Sequence, residues 1–191
     1  MLSETVQELI KKSRIMSFAS WGEKYPEEAI AIWQKADDQG KYLSDEAMEQ
    51  LIKIVPNLKY SLEQAKLLRD NANNIVAHAR GEVLAAYPQI TEPGGELYPP
   101  ARAEACWRDF WHFLRCITYG ISGNCVEYTS QEGLGYMEQL YQELQVPLDA
   151  MVLGLEQLKV YSLQQFSPEA QASLAPYFDH LIRAMQQFSP K

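Results

Sequence analysis

The chain is predicted to be all-α, with eight or nine helices. Three observations predict this. Apolar residues recur at helical spacing almost throughout, and no stretch alternates apolar and polar residues in the manner of a half-buried strand. The interruptions also carry helix start and stop chemistry: Ser, Asp or Pro before a periodic run, Gly or Pro after it.

Taken in order, residues 3–18 place Val6, Leu9 and Ile10 on one face, with Ser3 as N-cap and Glu4 and Glu8 behind it. Pro26 opens "PEEAIAIWQKADD" with two acids in the first turn, and Gly40 stops it. Ser44 and Asp45 start "SDEAMEQLIKIV", which ends at Pro56. Residues 61–87 read as one long helix carrying Leu67, Leu68, Ile75, Val76, Val83 and Leu84. The loop "PQITEPGGELYPPAR" follows, with four prolines and two glycines in fifteen residues. A helix over about 101–121 comes next. Thr129 or Ser130 then caps "SQEGLGYMEQLYQELQ", Pro147 starts "PLDAMVLGLEQLKVYSLQQF", and Ser167 and Pro168 start a last helix to about Gln187. The faces suit a globular bundle and not a heptad coiled coil. Because residues 41–191 already make a full set of packed helices, the segment 1–40 is expected to be an appendage and not core.

The 191 residues suffice for one substantial core. A net charge of −8 and a pI of about 4.9 argue against a nucleic-acid or anionic-membrane surface. Three cysteines, Cys106, Cys116 and Cys125, with no CxxC, argue against a disulfide framework or a zinc site and point to a reducing compartment. The N-terminus has no apolar signal region, and no run of 18 apolar residues offers a membrane span. No acid pair, Ser/His/Asp order or phosphate loop stands out, so no enzymatic activity is expected.

The chemistry concentrates in "AEACWRDFWHFLRCITYG". Positions three and four apart share a helical face, so Arg102, Cys106, Asp109 and His112 form one polar stripe. Trp107, Phe110, Trp111 and Phe113 flank it, which suits either a flat conjugated guest or an aromatic core. Read without a ligand, Cys106 is a small hydrophobe and the Arg and Asp are a structural ion pair. His78 and His112 invite a haem reading, but nothing marks a proximal ligand, and Asp109 suits pyrrole N–H groups better than a metal. Cys116 lies on another face and reads as core; Cys125, after "SGN", and His180 read as exposed. Tyr136, Tyr141, Tyr161 and Tyr177 read as core or interface.

Several of these pieces resemble the phycobiliproteins, the linear-tetrapyrrole antenna proteins of cyanobacteria and red algae. The matches are "NIV", "PGG-x-x-Y", "A-C-x-R-D", "LR-x-x-TYGI", "MVLGLEQLK" and "PYFDHLIRAM", in nearly constant register over residues 42–187. The resemblance implies a globin-like fold with an N-terminal helical extension, and a light-harvesting role like that of an allophycocyanin subunit. It implies phycocyanobilin or a related bilin, thioether-linked to Cys106, whose thiolate would be the nucleophile. Asp109 would hold the central pyrrole N–H groups, and Arg108 and Arg102 the propionates. Trp107 and Trp111 would wedge a ring or pack the core; His112 and Tyr119 complete the expected site. Trp111-His112-Phe113 and "GGELYPP" depart from the family's usual runs.

The resemblance also implies assembly, as a homo-oligomer or with a beta-type subunit. In the family the two N-terminal helices pack on a partner, and the arginine matched by Arg115 meets an aspartate there. Residues 1–38, with the stripe Val6, Leu9, Ile10, Ile30 and Trp33, are therefore expected to contact a partner. The implied location is cytoplasmic, at the cytoplasmic face of the thylakoid membrane through a phycobilisome. A bilin carrier, a regulatory protein or a chromophore-free structural paralogue is the alternative.

Overall fold

The computed structural model describes residues 2–189, and among them there are nine α-helices and no strand. They are α1 (Glu4–Lys12), α2 (Glu27–Asp38), α3 (Asp45–Ile54), α4 (Lys59–Asp70), α5 (Ala72–Ala86), α6 (Pro100–Ser122), α7 (Gln131–Leu144), α8 (Leu148–Leu163) and α9 (Pro168–Gln186). Ser3, Ser44, Ser130 and Ser167 each accept a hydrogen bond from a first-turn N–H with the side-chain hydroxyl, as their positions predict. Each such cap is worth about 1 kcal/mol.

Helix α6 is the centre of this globin-like, all-helical fold. It buries Phe110, Leu114, Ile117 and Tyr119 completely or nearly so, while α4, α5, α8 and α9 pack around it. The α6–α8 crossing is close because Gly154 lacks a side chain: a Cβ there would lie 2.0 Å from the Phe110 ring. On a ridges-into-grooves interface only glycine leaves that room.

Three expectations about the chain path are corrected. The helix expected over 61–87 breaks at Asn71. The Asn71 side chain donates to Gln165 Oε1 at 2.9 Å and accepts from Asn74 Nδ2 at 2.7 Å, so local amide bonding competes with continuation of the helix. The helix expected over 3–18 stops at Lys12; residues 15–17 then run extended beside residues 128–130, with Ser130 N–H donating to Ile15 O and Ser17 N–H to Tyr128 O. Gly133 permits this approach, since a Cβ would sit 1.8 Å from the Arg14 carbonyl oxygen.

The third correction concerns the segment before Gly40, which is not an appendage. Trp21, Ala29 and Trp33 are fully buried in the main core. The two indoles meet edge to face at 4.9 Å, and Trp33 Nε1 donates to Ser122 Oγ at 2.8 Å. Indoles this large contribute more by burial inside their own chain than any exposed stripe would allow. Only α1 stands apart, its Val6 and Leu9 packing on Leu140 of α7 in a separate small cluster.

Candidate bilin-binding site

Helix α6 carries two polar centres, one on each side of His112. The first opens on a cavity of about 630 Å³ between α6, α7 and the N-terminal segment. This size lies within the roughly 300–1,000 Å³ common for small-molecule sites. Of the residues expected at a site, Cys106, Arg102, Arg108, Asp109 and His112 all line it. The i, i+3, i+4 spacing along a regular helix brings Arg102, Cys106, Asp109 and His112 together, and Arg108, which lies round the helix from that stripe, reaches the same cavity.

Asp109 is the distinctive group. It is partly buried, and among the described residues its one side-chain hydrogen bond is from the Tyr141 hydroxyl to Oδ2, at 3.0 Å. Burial raises the Asp109 carboxyl to about 6, against the opposing pull of Tyr141 and Arg108. Arg108 is exposed at the rim. Arg102 is committed in part: its guanidinium donates to the Leu144 and Gln145 carbonyls at 2.7 and 3.1 Å, closing the C-terminus of α7 where Gln145 turns left-handed. A second cavity, of about 1,120 Å³, lies beyond and shares Arg102, Tyr141 and Val146 with the first.

Cys106 is 4 % exposed. Burial and the neighbouring Asp109 push its thiol up to about 12, so it is protonated at neutral pH. The expectation of a ready thiolate is corrected on this point. Cys116 is buried in the main core, as the sequence places it, and also lines the cavity, whereas Cys125 is buried near Lys24 Nζ (3.8 Å) and not exposed. His180 is half-buried against Thr129 Oγ1 at 2.7 Å.

Trp107, Trp111 and Tyr119 do not line the cavity. Trp107 packs on Phe110 and under the Arg80 guanidinium. Trp111 meets Tyr42 edge to face at 4.7 Å. Their positions on the helix, one and five residues past Cys106, turn them to other neighbours.

Tyr119 belongs to the second centre, with Arg115 and Asp37. Arg115 Nη1 contacts Asp37 Oδ1 at 2.7 Å and Tyr119 Oη at 3.0 Å, and the Tyr119 hydroxyl donates to the Lys41 carbonyl. Arg14 adds a second guanidinium to Asp37 at 2.5 Å and reaches Asp38 at 2.8 Å. His112 Nδ1 accepts from Arg115 Nε at 3.2 Å. Burial, then Arg115 and Arg108, hold His112 below its usual range, which suits an acceptor ring. The aspartate expected from a partner is thus supplied by this chain. The Arg115 surface is covered by α2, because the loop through Gly40 folds α2 back onto α6.

Sequence reasoning missed Tyr141 as a site residue, along with the wall formed by Ile10, Arg14, Ile15 and Met16. Tyr141 is 32 positions from Asp109, and no local period marks the pair. The weak signal for the wall was the apolar residue Ile10 beside Val6 and Leu9.

A sequence model of the family described as phycobilisome protein matches residues 31–185. The match begins eleven residues before the 42 expected from the motifs, and so takes in most of α2 and Asp37. The chain is 32 % identical over 151 residues to "Allophycocyanin subunit alpha-B" of Nostoc sp., covering 79 % of this chain and 94 % of that one. It is 30 % identical to the "Allophycocyanin alpha chain" of Mastigocladus laminosus (78 % and 94 % covered) and to that of Galdieria sulphuraria (79 % and 94 %). With this match across most of its length and an all-helical fold to go with it, the chain belongs to the phycobilisome protein family.

Proposed function

We propose that the chain binds one linear tetrapyrrole, phycocyanobilin or a close relative, through a thioether to Cys106, and serves in light harvesting as an allophycocyanin-like subunit. The observation that carries this reading is Asp109. A partly buried carboxylate with one hydroxyl donor, on the wall of a cavity that also holds a cysteine, is left for N–H donors of a guest. Two pyrrole N–H groups would satisfy it, and its charge would favour the cationic pigment. Arg108 at the rim suits a propionate.

Attachment adds the Cys106 S–H across a C=C bond of the pigment. The S–C bond forms, the proton goes to the neighbouring carbon, and no redox partner is needed. Because burial keeps the thiol protonated, the reading includes help from a base or an attaching enzyme. That same protonated thiol favours the second reading, a carrier, regulatory protein or structural paralogue that holds bilin without a covalent bond, or holds none.

The names of the relatives support an assembling subunit, as a homo-oligomer or with a beta-type partner. With Arg115 already paired to Asp37, assembly through residues 1–38 would need that segment to exchange or a different face to be used. No helix among the described residues is long and apolar enough to cross a membrane. The reading places the protein in the cytoplasm, at the thylakoid face as part of a phycobilisome.

The test is co-production with bilin-forming enzymes, followed by zinc-enhanced fluorescence of the denatured band. The wild type is expected to carry covalent pigment and Cys106→Ala to carry none. Covalent pigment in Cys106→Ala overturns the attachment site; native colour lost on denaturation supports the carrier reading.

A further inference from the structure

Helix α1 is held differently from the rest of the fold. Its buried residues Val6 and Leu9 meet Leu140, with Tyr136 and Leu144 alongside, apart from the main core. The chain just after it is fixed. Ile15 and Met16 are buried in the main core, and residues 15–17 exchange backbone hydrogen bonds with residues 128–130. The helix therefore hangs, through residues 13–14, from the anchored segment 15–17, and is docked on α7 by a few apolar side chains and by Lys12 over the Tyr136 ring. Such a unit opens more readily than the core it rests on.

Two further apolar side chains, one just before the helix and one on it, sit where water would be. Leu2 is 52 % and Ile10 47 % exposed, and both line the cavity that holds Cys106 and Asp109. The helix is otherwise polar on its outer side, with Glu4, Glu8 and Lys11. Apolar groups at a cavity mouth gain by covering an apolar guest. Residues 2–16 also precede residue 31, where the family match begins. The shared part of the chain supplies the thiol and carboxylate, and the added part supplies a wall.

We infer that α1 is a hinged cover of the pigment site, which swings away to admit the tetrapyrrole to Cys106 and re-docks to seat Leu2 and Ile10 on it. The proposal rests on the bilin reading above for the identity of the guest. Docked, α1 shields the thiol from reagents and the pigment from water. Displaced, it leaves Cys106 open to the attaching chemistry.

Two variants of the full-length chain test this. Val6→Asp/Leu9→Asp places charges in the docking cluster and frees α1; Ile10→Ser leaves that cluster intact and removes a contact to the guest. In pigment-free protein, maleimide labelling of Cys106, mapped by peptide mass, is expected to be on the order of tenfold faster in the double variant and unchanged in Ile10→Ser. Equal rates in the wild type and a folded double variant overturn the cover. In pigment-bearing protein, iodide is expected to quench the pigment several-fold more strongly in both variants, with covalent loading retained in Ile10→Ser. Unchanged quenching in Ile10→Ser overturns the seating of Ile10, and decides the matter even where the double variant does not fold. If no variant carries pigment, the bilin reading falls, and the labelling rates still decide whether α1 covers Cys106.

Discussion

Asp37 and Asp109 are two carboxylates served by one helix, α6, and they live in opposite circumstances. Asp37 is 7 % exposed and sits between two guanidiniums, Arg115 and Arg14. Asp109 faces a cavity with one tyrosine hydroxyl on Oδ2. The Asp37 centre is closed: each buried charge has its counter-charge, and the Tyr119 hydroxyl finds the Lys41 carbonyl. The Asp109 centre is open, with the Tyr141 hydroxyl as the one donor to its carboxylate among the described residues. Burial carries a high desolvation cost for either carboxylate, and Asp37 recovers it from two guanidiniums within the chain. The difference separates a carboxylate neutralised by its own chain from one that is not, although both appear in the sequence as an acid near arginines.

The largest expected effect comes from breaking the closed centre. Asp37→Asn keeps the side-chain shape but leaves two guanidiniums, one of them buried, without their shared carboxylate. The loss is expected to be roughly 3–5 kcal/mol, the range for an unpaired buried partner, read from urea denaturation. A loss under about 1 kcal/mol would mean that water substitutes freely there, and the contrast between the centres would collapse.

The same substitution at Asp109 is expected to act with the opposite sign. In the pigment-free fold this carboxyl is raised to about 6 from its ordinary value near 3.8. Between those values the folded state holds a proton that the unfolded state has released, so stability falls as pH rises through this window. Above pH 6 the full cost persists, about 2 kcal/mol at 1.36 kcal/mol per unit after allowing for partial exposure. Asp109→Asn should therefore be more stable than the wild type by about that amount at pH 7–8, with the advantage gone by pH 4. Stability curves for both proteins across pH 4–8 check it. Parallel curves would show that Asp109 is already solvated or paired.

How much of this was legible follows from distance along the chain. Cys106, Arg102 and Asp109 could be grouped from sequence because a helix repeats every 3.6 residues, and the grouping needs no knowledge of other elements. Asp37 and Arg115 are 78 positions apart, and Tyr141 and Asp109 are 32 apart. Nothing local encodes either meeting. The helix starts were readable from Ser3, Ser44, Ser130 and Ser167, whereas the break at Asn71 was not. It depends on an amide hydrogen bond to Gln165, 94 positions further along the chain. The apolar stripe of residues 6–33 was visible as a surface needing cover. Which surface covers it was a tertiary fact: Leu140 for α1, and the chain's own core for Trp33.

The smallest effect sharpens the open centre itself. Tyr141→Phe removes the hydroxyl that donates to Asp109 Oδ2 and leaves the ring, which is buried, in place. That hydrogen bond favours the charged carboxylate, so its loss should move the Asp109 carboxyl further up from about 6. At pH 8 the folded state would hold a carboxylate with one donor fewer, a cost of about 1 kcal/mol. At pH 4 the carboxyl is protonated in the folded state whichever residue stands at 141, and the cost should be smaller. The sign is therefore a stability loss that grows with pH, the reverse of the gain from Asp109→Asn. The double variant Tyr141→Phe/Asp109→Asn should show no pH-dependent difference from Asp109→Asn alone, because the titrating group is gone. Urea titrations of the three variants at pH 4 and pH 8 measure this coupling. A loss from Tyr141→Phe that is equal at both pH values would mean that the hydroxyl packs against the carboxyl without stabilising its charge.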